Sequence, residues 1–258
     1  MSHKLHDITL YYFDDAGDQS KRFTVRQNVV SDLYVHFLES YKPPKTTRIS
    51  IMLKNPGEAI NQTHYSGSIV IGDVSFDKTA FWNASADDQK RMILDVTHSF
   101  AIRCAGEFRW DKTVFNRAYQ RVLDANYIFK TESRPKFSPD RRLKAALMIE
   151  KNEEKTVISA SIYHSTGKKL TTIPLFESFQ NEMFYGGLVK NFKWFSKHEF
   201  GVYSKAGQIK IIADLKTCTS RTSLEPKTTS REILEGQLRR ILFADLKTQA
   251  DIVAWMNR

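Results

Sequence analysis

Two cysteines in 258 residues, Cys104 and Cys218, with no CxxC pair, exclude a disulfide framework and a four-thiolate zinc site. Glycine and proline are scarce, at 11 and 7, so the chain is neither collagen-like nor of low complexity. No run approaches the roughly 20 consecutive apolar residues that cross a bilayer. His3, Lys4, His6 and Asp7 break up the start of the chain before an apolar signal segment forms. The expected protein is therefore cytoplasmic, without a membrane partner.

The usual catalytic strings are missing as well. There is no GxSxG elbow, no HExxH, no GxGxxG after a strand and no GxxxxGK[ST]; before Gly167-Lys168-Lys169, Ile162 stands where the first P-loop glycine belongs. The seven histidines, at 3, 6, 36, 64, 98, 164 and 198, include no pair at metal-ligand spacing on one expected helix. No cofactor and no metal is expected, and a non-enzymatic role fits these absences better than a catalytic one.

What is present is a folding composition, 41% hydrophobic and 12% aromatic, with an uneven charge. Residues 1–132 hold 17 basic and 16 acidic side chains, whereas 133–258 hold 22 and 13. Nearly all of the net +10 thus belongs to the C-terminal half. Such an asymmetry points to an acidic or polyanionic partner for that half.

Alternating runs at 8–13 and 22–25, flanking the polar DDAGDQS, read as a hairpin, and 31–41 as a short helix or a strand. Apolar runs at 49–53 and 68–74 follow as strands around the Asn55-Pro56-Gly57 turn. Ser85 then reads as the N-cap of a helix to about Glu107, with Ile93, Val96, Phe100 and Cys104 on its apolar face. Asp111 caps a second helix with an apolar stripe through Phe115, Ala118 and Val122. The Pro-containing stretch 132–139 is the expected boundary between a near-neutral part, 1–132, and a basic part, 133–258, the alternative being that the two pack as one unit.

Beyond the boundary, strands are expected at 143–149, 156–163 and 170–175, with a hairpin of 200–203 and 208–213 around Lys205-Ala206-Gly207. Thr229-Ser230-Arg231-Glu232 reads as a capping box opening a helix whose stripe runs Ile233, Leu234, Leu238, Ile241, Leu242. Ile252, Val253 and Trp255 suit a last short helix. Each half thus reads as several strands followed by two helices, an α+β fold with mostly antiparallel sheets.

Three constellations bear on function. His98 with Asp95 one turn before it has the form of an oriented general base, although no nucleophile accompanies it at a recognisable spacing. A metal-dependent nuclease needs two acids and a lysine on adjacent strands. Asp140 with Glu153-Glu154-Lys155 matches that string but puts Glu153 in a turn, whereas Glu199, Asp214 and Lys216 sit on and beside paired strands. The third constellation is the densest: between 176 and 203 lie nine aromatic residues interleaved with Lys190, Lys193 and Lys197. At least half of these aromatics belong in a core, and Gly186-Gly187 can bend the chain to expose the rest.

The binding surface is accordingly expected at Lys190, Phe192, Lys193, Trp194, Phe195 and Lys197, extended by Arg239 and Arg240. The favoured function is a non-enzymatic interaction protein that binds an acidic protein partner, for instance an immunity-type inhibitor of a toxin. The alternative is a nucleic-acid-binding protein using the basic C-terminal half, with the Glu199, Asp214 and Lys216 set as its nuclease form.

Overall fold

The computed structural model describes residues 4–13, 18–179, 182–226 and 229–241, and gives the backbone alone for 18, 21, 182–184, 239 and 240. The expected last helix around Ile252, Val253 and Trp255 lies outside the described residues, as does Leu242. The chain is an α+β protein that divides into two compact units, Met1–Phe129 and Lys130–Arg258.

The first unit opens with β1, Asp7–Tyr11, whose alternation buries Ile8 and Leu10. The expected hairpin does not follow. Residues 22–25 belong to a long helix, α1, Asp18–Phe37, which bears Phe23, Gln27, Val30 and Tyr34 on one buried face. That spacing is helical, and the β-branched pairs around it hid the period. With a helix as crossover, β1 can pair in parallel with β2, Arg48–Lys54, setting Ile8 beside Ile49 and Leu10 beside Ile51. β4, Ile69–Ser75, joins β2 in parallel, and β3, His64–Ser66, closes the sheet as an antiparallel edge in the order β1-β2-β4-β3. This sheet is mostly parallel, in contrast to the antiparallel arrangement expected from the sequence.

A short helix, α2, Lys78–Asn83, is capped by the Asp77 carboxylate, which accepts from the Ala80 N–H. α3, Ala86–Glu107, begins and ends where the sequence places it. Ser85 Oγ accepts from the Asp88 N–H at 3.2 Å, and Asp87 and Asp88 complement the helix dipole. Asp111 likewise accepts from the Thr113 N–H and starts α4, Lys112–Asp124, which buries Phe115, Ala118 and Val122. α1 packs against β1, α3 and α4. Gly72 of β4 is required there, because a Cβ would stand 2.7 Å from the Phe100 ring of α3.

The second unit is built from antiparallel sheets. β5, Phe129–Glu132, β7, Leu143–Lys151, β8, Thr156–His164, and β9, Lys169–Ser178, lie in that order, and β6, Lys136–Phe137, adds to β7. The stretch 132–139 is thus no bare linker. Its two prolines flank β6 and leave Lys136 and Phe137 to pair with Ala145 and Lys144 on a short edge. β10, Phe192–Ser196, β11, Glu199–Tyr203, β12, Ile209–Asp214, and β13, Thr219–Leu224, form the second sheet in sequence order.

The two sheets share one apolar cluster, with Leu147, Ile158, Ala160 and Ile173 from one and Phe200, Val202, Ile211 and Ala213 from the other. Two helices complete it. Gly186-Gly187, expected to bend a surface loop, lie inside α5, Glu182–Val189, which contributes Tyr185 and Leu188. In α6, Arg231–Ile241, Ser230 rather than Thr229 supplies the cap, its Oγ accepting from the Ile233 N–H. Leu234 is buried while Ile233 is 55% exposed, so the stripe runs through Leu234, Leu238 and Ile241. α1 and α5 stand between strands, which replaces the expected order of strands followed by two helices in each half.

Candidate interaction surface

Alternation along β10 divides the expected binding segment between two faces. Phe192 and Trp194 turn inward and pack against the shared cluster. Each ring meets Phe200 edge-on, at 6.0 and 5.4 Å between centroids. Trp194 Nε1 donates to the Lys136 carbonyl at 2.9 Å, and Lys136 Nζ lies 4.0 Å from the Phe192 ring centre and donates to the Phe192 carbonyl. Both rings are half-buried, with their inner faces packed on the cluster.

Lys193 and Phe195 turn outward. The register between β10 and β11 slips after Trp194, so that Ser196 stands opposite Glu199 and Phe195 is the extra residue of a bulge. The bulge brings Phe195 onto the ring of Tyr203, 6.2 Å away and nearly perpendicular. Lys193 Nζ lies 5.3 Å from the Phe195 ring centre and 5.1 Å from that of Tyr203, and Lys210 Nζ lies 5.8 Å from Phe195. Tyr203 and Lys210 are direct cross-strand neighbours on β11 and β12. Two rings and two ammonium groups therefore form one cluster on the outer face, with both rings half-buried and Lys193 exposed. Sequence reading alone omitted Tyr203 and Lys210 from this site, although the hairpin turn at Lys205-Ala206-Gly207 implies their pairing.

Lys190 and Lys197 are exposed at the two ends of β10. No carboxylate among the described residues stands within ion-pair distance of Lys193 or Lys197. Other cations on this sheet are neutralised: Lys210 by Glu225, and Arg221 by Glu199 at 2.7 Å. Arg231 pairs with Glu235 on α6, while the side chains of Arg239 and Arg240 lie outside the described residues. The sheet thus carries Lys210 and Arg221 paired with glutamates beside the exposed Lys193.

The nuclease set is partly assembled. Glu199 and Asp214 are direct neighbours across β11 and β12. Glu199, however, is committed to Arg221, and Asp214 Oδ1 accepts from the backbone N–H of Lys216 at 2.8 Å while the Lys216 side chain stays exposed. Among the described residues no group of three His, Cys, Asp or Glu side chains is placed to hold a metal ion.

No family model, curated protein or solved structure matches the chain. The outer face of β10–β12 is therefore interpreted from its own chemistry. Long lysine side chains lose rotamer entropy when a partner fixes them. Here the aromatic rings already hold Lys193 by cation–π attraction, so a carboxylate arriving above it meets a donor that is ordered in advance.

His98 and Asp95 do not hydrogen-bond to each other. Both Arg91 and Tyr119 donate to Asp95 Oδ1, at 3.0 and 2.7 Å, while His98 Nδ1 instead shares a hydrogen bond with the Tyr34 hydroxyl. The carboxylate is held away from the imidazole it would have to orient.

Proposed function

We propose that this chain is a non-enzymatic interaction protein that binds the acidic surface of another protein through the outer face of β10, β11 and β12. The observation carrying this reading is the Phe195–Tyr203 ring pair bracketed by Lys193 and Lys210. Aromatic residues beside cations suit a protein hot spot, where a rigid ring excludes water from a charge pair. Neutralisation of Lys210 and Arg221 by neighbouring glutamates favours a protein over a nucleic acid, because a phosphate backbone is tracked by charge of one sign. A cytoplasmic location goes with the same reading, since the thiol of Cys218 is exposed and free.

The test titrates the full chain with an acidic glutamate-tyrosine copolymer and, in parallel, with duplex DNA and single-stranded RNA at rising salt. Saturable binding of the copolymer that persists at moderate salt, and falls about tenfold in Phe195→Ala and in Lys193→Glu, supports the reading. Preferential binding of nucleic acid with a steep salt dependence overturns it, as does copolymer binding indifferent to Phe195→Ala.

A further inference from the structure

The carboxyl ends of the parallel strands β1, β2 and β4 open into a crevice of about 510 Å³ in the first unit. Its walls come from the residues that follow these strands: Tyr12 and Phe13 after β1, Asn55 after β2, and the exposed side of α2 after β4, with Gln19 from the first turn of α1.

The chemistry of the walls is specific. Lys78 supplies the only charge among the described lining residues, and it is held in place, donating to the Phe13 carbonyl at 2.6 Å with its Nζ 4.9 Å from the Tyr12 ring centre. Trp82 is fixed in one orientation. Its Nε1 donates to the Tyr12 hydroxyl at 2.8 Å, and its ring meets Phe81 and Tyr12 edge-on. The Tyr12 side chain, itself 4% exposed, donates onward to Gln19 Oε1. Phe13 stands at the mouth, 64% exposed, with its ring stacked on that of Tyr11 at 6.3 Å between centroids. Thr79 and Asn83, one turn apart on α2, add hydroxyl and carboxamide groups.

One fixed cation, an immobilised indole, a second ring at the mouth and neutral hydrogen-bonding groups are what a flat, anionic, hydrogen-bonding molecule requires. We propose that this crevice binds a small organic anion of the nucleoside monophosphate class, with its phosphate on Lys78 and its base against Trp82 and Phe13. The size agrees, because about 510 Å³ falls within the range of clefts that take small organic molecules. The site is separate from the β10–β12 face and does not depend on the reading given to that face.

The experiment titrates the full chain with adenosine and guanosine monophosphates, adenosine and inorganic phosphate, following tryptophan fluorescence and thermal unfolding. At least one monophosphate should quench fluorescence saturably and raise the unfolding temperature, with adenosine and phosphate at least about tenfold weaker. Lys78→Gln should weaken the monophosphate about tenfold, and so should Thr79→Glu, which sets a carboxylate on an exposed position of the wall. Thr79→Glu covers the case in which loss of the Lys78 bond to Phe13 impairs folding, and neither change should alter the weak binding of adenosine. No binding of either monophosphate, equal binding of inorganic phosphate alone, or binding untouched by Thr79→Glu overturns the proposal.

Discussion

The Tyr34 hydroxyl and His98 Nδ1 lie 3.0 Å apart and tie α1 to α3. Tyr34 is wholly buried, which pushes its phenol far above the ordinary range, and burial lowers the His98 pKa against a smaller opposing effect of Asp95. His36 is lowered too, by burial and then by Arg121 and Lys4. An imidazole held neutral in the folded state contributes its full stability above the unfolded pKa of about 6.5. As pH falls below that value the unfolded chain takes up protons that the folded chain refuses. Urea midpoints should therefore drop as pH falls from about 6.5 toward the depressed folded pKa values. In His98→Gln the drop should be shallower, with the part due to His36 remaining; an unchanged pH profile refutes the assignment.

The two thiols should separate cleanly under alkylation. Burial pushes the Cys104 thiol up to about 12 and leaves it out of reach, whereas Cys218 is exposed. Iodoacetamide should label Cys218 alone in the native protein, and Cys104 only after denaturant is added. Mass spectrometry after a short exposure reads both sites.

Trp194→Ala and Phe195→Ala are adjacent changes with opposite expected signatures. The first removes a ring packed on Phe200 and a hydrogen bond to the Lys136 carbonyl, at a cost of about 3 kcal/mol in folding stability. The second removes a half-buried ring on the outer face, so its stability cost should stay within about 1.5 kcal/mol while copolymer binding is lost. Chemical denaturation and titration of both variants separate the two roles, and a large stability loss in Phe195→Ala would place that ring in the core.

A methyl group at Gly201 would stand 2.0 Å from the Ile211 carbonyl oxygen and 2.9 Å from the Ile212 Cα. Neither is a flexible side-chain end, so β11 and β12 must separate to admit it. Gly201→Ala should cost about 3 kcal/mol or more. At Gly187 in α5 the same change meets nothing, and there it should stabilise by about 0.5–1 kcal/mol through lost backbone entropy. Equal effects at the two positions would contradict this packing.

What the sequence made legible were the elements decided locally. Ser85 and Asp111 announce α3 and α4 by cap chemistry, and the polar turns between β7 and β8 and between β11 and β12 announce their hairpins. α1 escaped because its buried face, Phe23, Gln27, Val30 and Tyr34, includes a glutamine and is surrounded by β-branched residues. Once α1 is misread, the parallel pairing of β1 with β2 and the crevice beyond their ends are invisible too. For the surface, the segment around Lys193 was legible but its sides were not. Alternation separates Trp194 from Phe195, yet only the opposing sheet decides which of them faces inward.

The connectivity of the two units also sets how each is expected to reach its native state. In the second unit, β7, β8 and β9 follow one another as neighbours, and so do β10, β11, β12 and β13, so every one of these pairings closes a short loop. In the first, β1 finds β2 only after the whole of α1 has been made, and β2 finds β4 across β3. Closing long loops before their contacts form slows folding. During refolding the hairpin strands should therefore gain amide-exchange protection ahead of β1, which leaves β1 as the last strand to become committed.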